Sequence, residues 1–149
     1  MLDITDRKLM RHYTAQFGWI RHRAPKYLTG ILARYVENGC TATRSDYARF
    51  ILDVSAEYGV KPESVRGTID RFVKGAWQRD EVFQWVWKHY TGWAESTPPT
   101  SAVAIRLICE SYVPFITKYE EVLQHTNSFY LQAAVEAYDK GEWEPDHRP

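Results

Sequence analysis

The apolar positions of this chain recur at three- and four-residue intervals from Leu9 to beyond Tyr130, and no stretch alternates with period two for long enough to make a strand. That pattern predicts an all-α protein, a compact multi-helix domain built from amphipathic segments. The most regular segment runs from Thr43 to Arg79, TRSDYARFILDVSAEYGVKPESVRGTIDRFVKGAWQR. In its first half, Tyr47, Phe50, Ile51, Val54 and Tyr58 share one helical face, with Ser45 as the expected N-cap. Gly59 stands where the chain must leave that helix, a position that favours positive φ and hence glycine. Pro62 opens a second helix, because proline's missing N–H is no loss in a first helical turn.

In that second helix, over about 62–78, Val65, Ile69, Phe72, Val73, Ala76 and Trp77 make the apolar stripe, and Ser64, Arg66, Gly67, Asp70, Arg71, Lys74 and Gln78 the solvated face. Two helices, a short glycine-containing turn, the small Ser55 four residues before it and Val60 and Val65 after it fit a DNA-binding helix-turn-helix. An ordinary helical hairpin has the same spacing, so the pattern by itself leaves both readings open.

Four further regions are expected to be helical. The first spans about Thr5 to Phe17, capped by Thr5 or Asp6, with Leu9, Tyr13 and Phe17 inward. The second runs from Pro25 or Lys26 to Glu37, carries Tyr27, Leu28, Ile31, Leu32, Tyr35 and Val36, and stops at Asn38-Gly39. A third, Glu81 to Tyr90, is capped by Asp80 and turns Val82, Phe83, Val86, Trp87 and Tyr90 inward, with Trp85 and His89 set apart from that face. After the polar loop TGWAESTPPTS, Thr100 or Ser101 caps a fourth through Tyr112, carrying Val103, Ile105, Leu107 and Ile108. Pro114 is expected to restart the chain, with helical patterns at about Phe115 to Gln124 and Ser128 to Lys140 and a polar tail after Gly141.

Length and chemistry narrow the function classes. At 149 residues the expectation is a single helical domain over 1–149, and 44% hydrophobic residues supply a core. No apolar run reaches a membrane span, and MLDITDRKLM lacks the apolar stretch of a signal peptide, so no membrane association and a cytoplasmic location are expected. Cys40 and Cys109 form no metal or redox motif, and His12, His22, His89, His125 and His147 are scattered, so neither metal nor cofactor is expected. No nucleophile–base motif, phosphate loop or carboxylate pair points to an enzyme, and no catalytic residue is assigned. The six Trp and ten Tyr fall mostly on apolar helix faces and read as core, Trp93 in the polar loop excepted.

Net charge is zero but uneven: residues 1–79 hold 14 Lys and Arg against 8 Asp and Glu, residues 80–149 hold 5 against 11. A basic half containing the candidate recognition helix attracts phosphates, while oppositely charged halves also attract one another. Arg21, His22, Arg23 and Lys26 around Pro25 form a basic patch that suits either phosphates or plain solvent.

From about His22 to Val113, roughly 90 residues, the chain resembles the C-terminal DNA-binding effector domain of the stage zero sporulation protein A family of sporulation response regulators. The resemblance is carried by PKYLTGILARYV with its basic lead-in, by YARFILDVSAEYGVKPESVRGTIDRFVKGAWQRD with the family's Ala-Trp-x-Arg element at Ala76, Trp77 and Arg79, and by TPPTSAVAIRLICESY. It implies a core over 22–113 that binds double-stranded DNA through the major groove, with 114–149 as additional C-terminal helices and tail. The family's phosphoacceptor receiver domain is not expected here, with only one short helix before the match, so phosphorylation-controlled dimerisation is not expected to carry over. Where the family places a Glu-Arg pair and a further Arg on the recognition helix, this chain has Arg66, Gly67 and Asp70, so the family's sequence preference is not expected to transfer.

The expectation is therefore a transcriptional regulator whose DNA-binding residues are Ser64, Arg66, Gly67, Asp70, Arg71 and Lys74, with Arg66 at a base edge and Arg44, Lys61 and Lys88 on phosphates. The alternative is a protein-interaction module on the same fold that has lost specific DNA binding, favoured by Gly67, Asp70 and the acidic C-terminal region. Those C-terminal helices serve either as extra core or as the surface for a homodimer or protein partner.

Overall fold

A computed structural model describes residues 3–19, 23–79 and 81–118 in full and the backbone of 119–125. The described backbone is all-α, with no strand. Its helices are α1 (Arg7–Thr14, continued by a 3-10 turn, Ala15–Phe17), α2 (Ala24–Glu37), α3 (Arg44–Tyr58), α4 (Pro62–Arg79), α5 (Glu81–Val86, continued by a π turn, Trp87–Thr91) and α6 (Ser101–His125). Arg21, His22, Asp80 and the expected helix at 128–140 lie outside the described residues.

Local sequence explains most of the boundaries. The Asp6 carboxylate accepts the Lys8 N–H at 2.9 Å and starts α1. At α3 the cap is Thr43, not the expected Ser45. Thr43 Oγ1 accepts from the Asp46 N–H at 3.2 Å while Asp46 Oδ2 accepts from the Thr43 N–H at 2.8 Å, a reciprocal box that satisfies two orphan donors where Ser45 would satisfy one. That backbone hydrogen bond from Thr43 also holds the Asp46 carboxyl below its usual range. The end of α3 is the expected glycine: Gly59 has φ +64°, Val60 N–H reaches back to the Ser55 carbonyl at 2.9 Å, and Gly59 N–H to that of Ala56 at 3.3 Å.

Three expectations about the second half change. The segment after α4 is a six-residue α-helix passing into a π turn; Phe83, Val86 and Trp87, spaced i, i+3 and i+4, form its buried face, which leaves Val82 46% exposed. Pro114 does not restart the chain but sits inside α6. Its side chain is exposed, as is Glu110, the residue whose carbonyl loses its amide partner, so water rather than the core meets the broken rung. On α6, Ile105 and Ile108 are buried as expected, while Val103 and Leu107 are half-buried and Ala104, Cys109 and Tyr112 take their place.

One hydrophobic cluster joins α1 to α6. Trp87 is fully buried, and its indole N–H donates to the Phe17 carbonyl at 2.9 Å, tying the π turn to the end of α1. Tyr13 donates to the Ile108 carbonyl at 3.2 Å and is hydrogen-bonded to Ser111, and Tyr112 donates to the Ile4 carbonyl at 2.8 Å, so α6 is stitched to the N-terminal segment. The Ala-Trp-x-Arg element is structural: Ala76 is buried, Trp77 donates to the Ser96 carbonyl at 2.9 Å, and the Arg79 guanidinium lies 3.9 Å from the Trp19 ring centroid. Trp93, the aromatic set apart in the sequence, folds its loop by donating to the Thr97 carbonyl at 2.8 Å.

Candidate nucleic-acid interface

α2 packs on both α3 and α4, and α3 on α4, so the helix pair is backed by a third helix. Close approach of α2 to α3 needs Gly30, where a Cβ would stand 3.0 Å from Val54 Cγ2. The buried stripe Val65, Ile69, Phe72, Val73 and Ala76 anchors α4 and turns the opposite arc outward. Ser64, Arg71 and Lys74 are exposed there, and Arg66, Gly67 and Asp70 are half-buried along it.

Side-chain pairing divides that arc. Lys74 Nζ is 2.9 Å from Asp70 Oδ2, an i,i+4 pair that cancels two of the charges on this face. Arg71 folds back along the helix, donating to Thr68 Oγ1 at 3.2 Å; a Cβ at Gly67 would stand 3.3 Å from its guanidinium, so glycine leaves room for that conformation. Arg66 lies at the edge of the arc and turns towards α3 and α6. There it joins Arg44 and Arg106 around a groove of about 610 Å³ whose accessible apolar lining includes Tyr47, Ala48 and Val103. Of the expected phosphate contacts, Arg44 is thus brought beside Arg66; Lys61 is exposed in the α3–α4 turn, and Lys88 is exposed on the π turn and lines neither this groove nor the pocket described next.

A second basic site was not anticipated. Arg7, Lys8 and Arg11 of α1 meet Lys26 of α2 and Tyr58 of α3 around a pocket of about 240 Å³. Lys26 Nζ lies 5.5 Å above the Tyr58 ring. Lys26 therefore keeps company with α1 in this pocket. The available signal was the i,i+4 spacing of Arg7 and Arg11, which puts both on one side of α1.

Among the described residues no group of His, Cys, Asp and Glu is placed to hold a metal ion, and no helix is long and apolar enough to cross a membrane. Both cysteines are free thiols, and burial pushes that of Cys109 well above its ordinary range. The chain matches no family model, no curated protein and no solved structure.

Proposed function

We propose that the chain is a sequence-specific double-stranded DNA-binding protein, a transcriptional regulator that lays α4 in the major groove. The observation that carries this reading is the α3–α4 pair: a tight turn through a left-handed Gly59, a third helix behind it, and an outer arc presenting Ser64 and Arg71 with Arg66 at its edge. The resemblance to sporulation-regulator effector domains in the same residues favours it further. Arg66, in the second turn of α4, is assigned to a base edge, where a bidentate arginine–guanine pair is worth about 1–3 kcal/mol of discrimination. Arg44, Lys61 and the α1–α2 cluster around Arg7 and Lys26 are assigned to phosphates.

A second reading, a protein-interaction module that has lost its operator, is favoured by the Asp70–Lys74 pair, which removes net charge from the face that would meet DNA. Selection from a random duplex pool at two salt concentrations separates the two. The expected outcome is an enriched motif that Arg66→Ala fails to enrich, with affinity falling as salt rises. Absence of any binding at low salt would give the face to a protein partner instead.

A further inference from the structure

The groove between α3, α4 and the first turns of α6 has a composition that duplex DNA does not call for. Three arginines reach it from positions 44, 66 and 106, on three different helices, and among the described residues no acidic one lines it. Arg44 and Arg66 have no acidic partner among the described residues, and Arg106 has only Glu110 at 3.8 Å, an exposed pair that screening makes weak. The same groove is lined by apolar residues, of which Tyr47, Ala48, Ala102 and Val103 are accessible and Ile51 and Ile105 lie buried beneath. Like charges gathered over an apolar trough repel one another, and an anion set among them offsets that repulsion. Contacts to backbone phosphates call for cations and hydrogen-bond donors rather than an apolar trough, whereas a volume of about 610 Å³ falls within the range of small-molecule sites.

We infer that this groove binds a small organic anion, a carboxylate or phosphate monoester carrying a compact apolar body. The anionic head sits among Arg44, Arg66 and Arg106, and the body lies on the Tyr47 ring, Ala48 and Val103. The inference does not depend on the DNA reading, and neither Arg106 nor Ala102, used below to test it, has a part in that reading. Where both hold, Arg66 is shared, and the ligand acts as an effector that opposes DNA binding.

The test titrates the full chain, without DNA, with 2-naphthoate, 1-naphthyl phosphate and the neutral 2-naphthamide, followed by calorimetry. The expected result is saturable binding of one anion per chain, at least about tenfold tighter than the amide, as a charge-assisted hydrogen bond implies; comparing the two anions decides between carboxylate and phosphate. Arg106→Gln is expected to reduce that preference about tenfold by the same measure. Ala102→Trp, at an exposed position on the groove wall, is expected to abolish binding with the thermal midpoint unchanged. Equal binding of acid and amide, no saturable binding of either anion, or anion binding that survives Ala102→Trp would each overturn the inference. Any of these would leave the duplex selection, which contains no ligand, to be judged separately.

Discussion

Tyr47 carries its hydroxyl out of water without a hydrogen-bond partner among the described residues, and burial raises that group's pKa far above its ordinary range. Its ring is well placed, stacked on Tyr35 with centroids 6.3 Å apart and edge-on to Phe50 at 6.0 Å. The ring therefore stabilises the fold and the hydroxyl opposes it. Tyr47→Phe is expected to raise stability by about 1 kcal/mol in urea unfolding, since an unmade buried hydrogen bond costs about that much or more; a loss of stability would mean that the hydroxyl has a partner. His12 is a titrating counterpart. Burial lowers its pKa from about 6.5 to about 4, so below pH 6.5 the unfolded chain takes up a proton that the folded chain refuses. Stability from this group is thus complete above pH 6.5 and lost as pH falls towards 4. Comparing wild type with His12→Gln at pH 7 and 4.5, the wild type is expected to lose about 2 kcal/mol more than the variant.

At the scale of the element, α3 shows what a local motif contributes and how it is misread. Thr43 and Asp46 make a reciprocal box visible in the sequence as Thr-x-x-Asp, yet Ser45 lies between them and is an equally good capping residue in isolation. The pair prevails because two donors are satisfied instead of one. Thr43→Ala is expected to lower the thermal midpoint, with a destabilisation of about 1 kcal/mol, and Ser45→Ala to leave it unchanged. The reverse ranking would return the cap to Ser45. Pro114 departs from the expected break in α6 for a different reason: the effect of a proline on a helix depends on which side the freed carbonyl faces. Here Glu110 and Pro114 are both exposed, so water substitutes for the lost amide, and the helix runs on to His125.

At the scale of the molecule, the stability of the helices is shared through one cluster with Trp87 at its heart, packed on Phe17 at 4.8 Å and Trp77 at 6.0 Å between ring centroids. Trp87→Ala is expected to destabilise by about 3–5 kcal/mol and to melt the helices in one transition, read as coincident near- and far-ultraviolet circular dichroism curves. Separate transitions would show that α1–α4 and α6 hold independently. The all-α class, the span of α2, the Gly59 turn and the proline start of α4 were legible in the amino-acid order. Each is a consequence of residues within a turn or two of one another: a 3.6-residue period, a glycine free to take φ +64°, a proline whose missing amide is no loss. The order of residues also determined which face of α4 is buried. It did not determine where Arg66 points, that Arg106 stands beside it, or that Arg7, Lys8, Arg11 and Lys26 surround one pocket, because these depend on how helices distant in the chain cross. The pairing of Asp70 with Lys74 was available as an i,i+4 spacing, but the gathering of Arg44, Arg66 and Arg106 at one groove arises only when α3, α4 and α6 are packed around a common core. Helical periodicity sets what each segment hides; only tertiary packing sets which charges are brought together on what remains outside.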